Sequence, residues 1–84
     1  MQPRAVVRTE EFVRQFAQLP RGLQVQAAHA LDLLANAMDP ARIAEPHPTG
    51  VEHVWRLHHD GVIVSAAVYD DTLRVDALTV RPNS

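Results

Sequence analysis

The 84-residue chain predicts an α+β fold of order βααβββ, with a helical hairpin packed on one face of a small, mainly antiparallel sheet. Three features carry that expectation. Apolar residues recur at helical spacing between positions 10 and 38. From position 51 to position 80 the pattern changes to alternation of period two. Between these stretches, residues 39–50 hold three of the six prolines and a glycine, which suits a loop.

Each element has its own signal. Ala5–Arg8 is a brief run with two β-branched residues, a first strand. Thr9 is a helix N-cap, because its hydroxyl can accept from an unpaired amide of the first turn. Glu10 and Glu11 follow, where the helix dipole favours negative charge. Phe12, Phe16 and Leu19 share a face, so the first helix covers about Glu10–Gln18 and stops at Pro20-Arg21-Gly22. The run "LQVQAAHALDLLANAM" places Leu23, Ala27, Ala30, Leu31, Leu34 and Met38 on one stripe of a second helix. The short break between the helices makes them a hairpin. Asp39-Pro40 ends the second helix, and the loop after it has room for one helical turn at Ala41–Ala44.

Three strands follow. Val51–His58 alternates, and His59-Asp60-Gly61 turns the chain. Val62–Tyr69 is apolar almost throughout, as in a central strand covered on both faces. Asp70-Asp71 is a tight turn, Leu73–Val80 is the last strand, and residues 81–84 form a short tail. One domain spanning residues 1–84 is expected, since a chain this size can build one modest core.

Composition removes several function classes. The chain has no cysteine, which excludes disulfides, zinc ribbons and thiol catalysis. Its longest apolar run is far too short to span a bilayer. The N-terminal residues carry no apolar signal core, so a cytoplasmic location is expected. All eight basic residues are arginine, yet the formal net charge is −2. A dedicated nucleic-acid binder draws most of its affinity from phosphate neutralisation, so tight nonspecific binding to RNA or DNA is not expected.

Some residues stand out for chemistry. Arg56 and His58 lie two apart on one strand and therefore share a face. There an arginine fork can clamp phosphate and an imidazole can move a proton; the same pair also suits a solvated strand face that discourages aggregation. Trp55 points to the opposite face and reads as a core anchor. His58 and His59 also point opposite ways, and no H-E-x-x-H is present, so no metal site is expected. Arg74 and Asp76 are placed for a surface ion pair. Arg14, Arg21 and Arg42 serve either as solubilising charges or as a local basic patch.

Taken in order, these segments resemble the RelE/ParE superfamily, the toxins of bacterial toxin–antitoxin pairs. The resemblance runs over nearly the whole chain. It rests on a short strand before "TEEFVRQFAQLP", a helix ending "LDLLANAMDP", and "VWRLHHDGVIVSAAVYDDTLRVDALTVR" after the loop. It implies a compact RelE-like βααβββ fold and an antitoxin partner. The RelE branch cuts messenger RNA on the ribosome, by attack of a ribose 2′-hydroxyl on the neighbouring phosphate. That chemistry needs no cofactor or metal, but it needs cations on phosphate oxygens and groups that move protons. Carried over by position, the implied catalytic residues are Arg56, His58 and Arg81. Two departures are plain: no arginine stands around Val62–Val64, and no tyrosine follows the last strand.

Two other readings are consistent with the same residues. One is a non-catalytic binding module, either a ParE-like inhibitor of DNA gyrase or a degenerate, non-toxic member. The other is a pure interaction domain that forms a homodimer through a free sheet edge.

Overall fold

The computed structural model describes residues 3–80. The elements, in chain order, are β1 (Ala5–Arg8), α1 (Glu10–Ala17), α2 (Arg21–Asn36), a 3-10 turn (Pro40–Arg42), β2 (Glu45–Pro46), β3 (Val54–His59), β4 (Val62–Val68) and β5 (Thr72–Val80). The five strands form one mixed sheet of order β1-β5-β4-β3-β2. The pairs β2–β3, β3–β4 and β4–β5 are antiparallel, and β1 runs parallel to β5. This is the α+β arrangement that the sequence predicts, with one strand added. Among the described residues no helix is long and apolar enough to cross a membrane.

The core lies between the helices and one face of the sheet. Phe12 of α1 and Ala27, Ala30, Leu31 and Leu34 of α2 are buried against Leu57, Val62, Val64, Val75 and Leu78 of the sheet. Phe12 and Phe16 lie with ring centroids 5.8 Å apart, and Phe16, Leu19, Leu23 and Trp55 pack around the rim of the core. The helical stripes therefore hold, except at Met38. That residue lies beyond the helix and is 80% exposed. The helix ends before it, because Ala37 is already extended (φ −72°, ψ 127°), and Pro40 then keeps Asp39 out of the helical region. Asp39 is extended (φ −131°, ψ 105°), and its carboxylate accepts from Ala41 N.

Thr9 caps α1 and also fastens it to the sheet. Its hydroxyl accepts from Phe12 N at 3.3 Å and donates to Val75 O at 2.8 Å. The register of β5 against β4 slips between Ser65 and Ala66, because Ser65 pairs with Ala77 and Ala66 pairs with Val75. Asp76 is thus an extra residue, a β-bulge that leaves ladder groups unmatched. Side chains of the first helical segment satisfy some of them. The Thr9 hydroxyl also reaches Asp76 O at 3.2 Å, and Gln15 Oε1 accepts from Leu78 N at 2.6 Å.

The C-terminal end of α2 has no basic residue in its last turn. Arg4, just before β1, supplies one from outside. Its guanidinium donates to Leu34 O at 3.1 Å, to Ala37 O and to Tyr69 O, and its amide donates to Ala35 O at 2.8 Å. A guanidinium there satisfies carbonyls that the helix leaves unpaired and sits at the negative end of its dipole. Arg4→Ala is expected to cost about 1–3 kcal/mol through these unsatisfied acceptors. Urea unfolding checks this, and an unchanged midpoint would show the clamp to be idle.

Two strand boundaries differ from the expectation. The strand expected from Val51 begins at Val54, since Gly50 (φ 73°) and His53 (φ 68°) both turn the chain through the left-handed region. At its other end the strand includes His59, which pairs with Val62. The hairpin turn is therefore only Asp60-Gly61, both at positive φ (41° and 93°), the conformation a two-residue hairpin of type I′ requires. The short β2 lies within what the sequence marks as loop. Its proline sits on an edge strand, where no ladder amide is missed. Finally, β4 is central, but helices cover only one of its faces: Val62, Val64 and Ala66 are buried in the core, while Ile63 and Ser65 on the other face are only half-buried.

Candidate functional site

The face of the sheet away from the helices is built by the alternate residues. On β3 these are Val54, Arg56 and His58. Arg56 is level with Ser65 and Ala77, and His58 is level with Ile63 and Thr79. Val54 is level with Ala67, Arg74 and Val7. The floor between the charged side chains is thus made of small residues, Ser65, Ala67 and Ala77. A flat group or an extended backbone can approach such a floor closely.

Glu45 on β2 pairs directly with Arg56 on β3. One oxygen, Glu45 Oε1, accepts from Arg56 Nε at 2.9 Å and from Arg56 Nη2 at 2.6 Å. The same oxygen lies 3.1 Å from His58 Nε2. The three side chains are about one third to one half exposed, at 33% for Arg56, 37% for His58 and 49% for Glu45. They edge a hollow of about 210 Å³ whose other wall is Arg42, Ile43 and Ala44.

The hydrogen bonds and positive charge of Arg56, followed by the hydrogen bond from His58, hold the Glu45 carboxyl below its ordinary value of 4.5. A depressed carboxyl pKa stabilises the fold above the unfolded value, and that contribution is lost as the pH falls through the folded value. Carboxyl NMR of Glu45 is therefore expected to show a midpoint below 4.5, rising toward it in Arg56→Ala. The same midpoint in both proteins would contradict the pairing.

The second cation of this face is Arg74 on β5. It is also paired, with Nε 2.7 Å from Asp76 Oδ1 and Nη2 3.3 Å from Asp76 Oδ2. Its partner Asp76 is the extra residue of the β5 bulge. The hydrogen bond to Asp76 raises the guanidinium's pKa above its ordinary value.

The structure thus brings Arg56 and His58 together, as the strand alternation predicts. Arg81 lies outside the described residues. Nothing in the sequence marks Glu45. Its neighbours in "AEPHPTG" carry no periodicity, and only the pairing of β2 with β3 places it beside Arg56. His59 faces the other way from His58, with its ring 6.3 Å from that of His29. Those two histidines, with Leu33 and Ile43, line a hollow of about 590 Å³ that is mostly apolar. Among the described residues no group of three or more histidine, aspartate or glutamate side chains is arranged to hold a metal ion.

The architecture is an α+β RelE-like fold, with two helices on one face of a five-stranded mixed sheet and, among the described residues, no helix on the opposite face. Among solved structures it is similar to a chain of the toxin–antitoxin complex RelBE2 from Mycobacterium tuberculosis. The TM-score is 0.79 at 20% sequence identity, covering 99% of this chain and 97% of the other. No protein-family model and no curated protein matches the sequence.

Proposed function

We propose that this protein is a RelE-like toxin of a bacterial type II toxin–antitoxin pair, acting in the cytoplasm by cutting messenger RNA on the ribosome. The observation that carries the reading is the clustering of Arg56 and His58, bridged by one carboxylate, on the open face of a RelE-like sheet. The guanidinium fork of Arg56 matches two phosphate oxygens and stabilises the charge that builds on them during attack. In the reaction the ribose 2′-oxygen bonds to phosphorus as the bond to the 5′-oxygen breaks. The 2′-hydroxyl gives up a proton, the departing 5′-oxygen gains one, and a 2′,3′-cyclic phosphate remains. His58, within reach of the same phosphate, moves protons in this scheme, and Arg81 is the second phosphate clamp. A cognate antitoxin would silence the protein by covering this face.

Expression in a bacterial host tests this reading. Growth arrest is expected with the wild-type chain and not with His58→Ala; undisturbed growth at full expression of the folded wild-type protein counts against a toxin.

A second reading is a non-catalytic binding module, such as a ParE-like gyrase inhibitor. The observation favouring it is that both arginines described on the open face already hold carboxylates, Arg56 with Glu45 and Arg74 with Asp76. A supercoiling assay separates the two. Gyrase inhibited by both wild type and Arg56→Ala supports the binding module; gyrase unaffected at large excess removes the gyrase version.

A further inference from the structure

The Glu45 carboxylate stands where an anionic ligand of Arg56 and His58 would stand. Its Oε1 takes both donors of one edge of the Arg56 fork and lies within hydrogen-bonding distance of His58 Nε2. A phosphate oxygen seated between His58 and this edge of the guanidinium would compete for the same N–H groups. Arg56 and His58 are fixed on the inner strand β3, whereas Glu45 is on a two-residue strand at the sheet edge. Glu45 is also half exposed, so water and salt screen its attachment, and swinging outward leaves it solvated rather than buried. Of the three groups, Glu45 is the one that can leave.

We infer that Glu45 is an internal competitor for the phosphate subsite: it occupies the Arg56–His58 seat in the resting chain and must swing out before a nucleic-acid phosphate can enter. This rests on the reading of the open face as an RNA-cutting site and adds its regulation. The gate lowers the affinity of the free protein for RNA in general. Only a substrate held in place by other surfaces, as on a ribosome, gains enough to displace the carboxylate. That accords with the formal net charge of −2, which leaves no excess of positive charge to gather loose RNA.

The test compares wild type, Glu45→Gln, Glu45→Ala, Arg56→Ala and the double variants that combine Arg56→Ala with each Glu45 change. The first probe is a short single-stranded RNA with 2′-O-methyl riboses, which cannot be cut, so affinity is read without chemistry. The second is inorganic phosphate, followed through the NMR signal of the Arg56 Nε–H in the proteins that retain it. Both Glu45 variants are expected to bind each probe about two- to fivefold more tightly than wild type, the range that an exposed ion pair can withhold. For RNA the gain is expected to shrink as salt is raised and to vanish in the double variants. Equal or weaker binding of phosphate by the Glu45 variants overturns the gate. It would mean that Glu45 organises the seat rather than filling it. Tighter phosphate binding with no RNA bound by any variant keeps the gate and removes the RNA reading. Weaker RNA binding by Arg56→Ala alone, with no gain from either Glu45 variant, keeps the RNA reading and removes the gate.

Discussion

Phe12→Ala is expected to destabilise the fold by about 3–5 kcal/mol, a large share of the roughly 5–15 kcal/mol that holds a small domain together. Phe12 is only 1% exposed and is the largest fully buried side chain. It projects from the first turn of α1 into the core, where its ring lies 5.8 Å from that of Phe16. Truncation removes the apolar surface and leaves a cavity that the stiff sheet beneath cannot collapse to fill. The loss also reaches the sheet, because Thr9 and Gln15 of the same segment satisfy the unmatched backbone of the β5 bulge. Denaturant unfolding followed by far-UV circular dichroism measures it. A loss below about 1 kcal/mol would mean that α1 contributes little to the core.

Arg56→Ala is expected to slow RNA cleavage by about 10²–10³-fold while leaving stability within about 0.5 kcal/mol of wild type. The two halves of this prediction arise from the same geometry. Arg56 projects from the open face, so no core volume is lost when it is shortened. Its fork is the part of the cluster able to hold two phosphate oxygens at once, and the partner it leaves behind, Glu45, is exposed enough to be solvated by water. Single-turnover cleavage of a ribosome-bound transcript gives the rate, and thermal unfolding gives the control. A fall in rate matched by a large fall in stability would assign Arg56 a structural role. A rate within a factor of two of wild type would remove it from the site.

Most of the architecture is legible in the sequence, because it rests on local signals. The cap at Thr9, the acidic first turn, the apolar stripe of α2 and the alternation of β3 and β5 are all set by neighbours within a few residues. What escapes depends on groups far apart in the chain. The Arg4 clamp joins residues 30 or more positions apart, and no periodicity marks it. The two residues of β2 are a strand only because β3 lies beside them. His53 adopts φ 68°, which alternation alone cannot foresee in a histidine, so the strand starts three residues later than the pattern suggests.

The candidate site divides in the same way. That Arg56 and His58 share a face follows from the strand period. That Glu45 holds both follows only from the tertiary pairing, and it changes what the cluster can do. An arginine and an imidazole alone would be an open phosphate seat. The same pair on one carboxylate is a seat already taken, with the charges of Arg56 and Glu45 balancing each other. The Arg74–Asp76 ion pair follows from spacing, two residues apart on one strand; that Asp76 is also the bulge residue is set by the pairing of β5 with β4.

The most direct test of the account is the chemistry of RNA ends. Translating ribosomes carrying a defined transcript are incubated with the purified protein, and the new ends are mapped and typed. The account predicts discrete cuts bearing 2′,3′-cyclic phosphates with wild type, and their near disappearance with Arg56→Ala. Intact transcripts with wild type, or equal cutting by the two proteins, would contradict it.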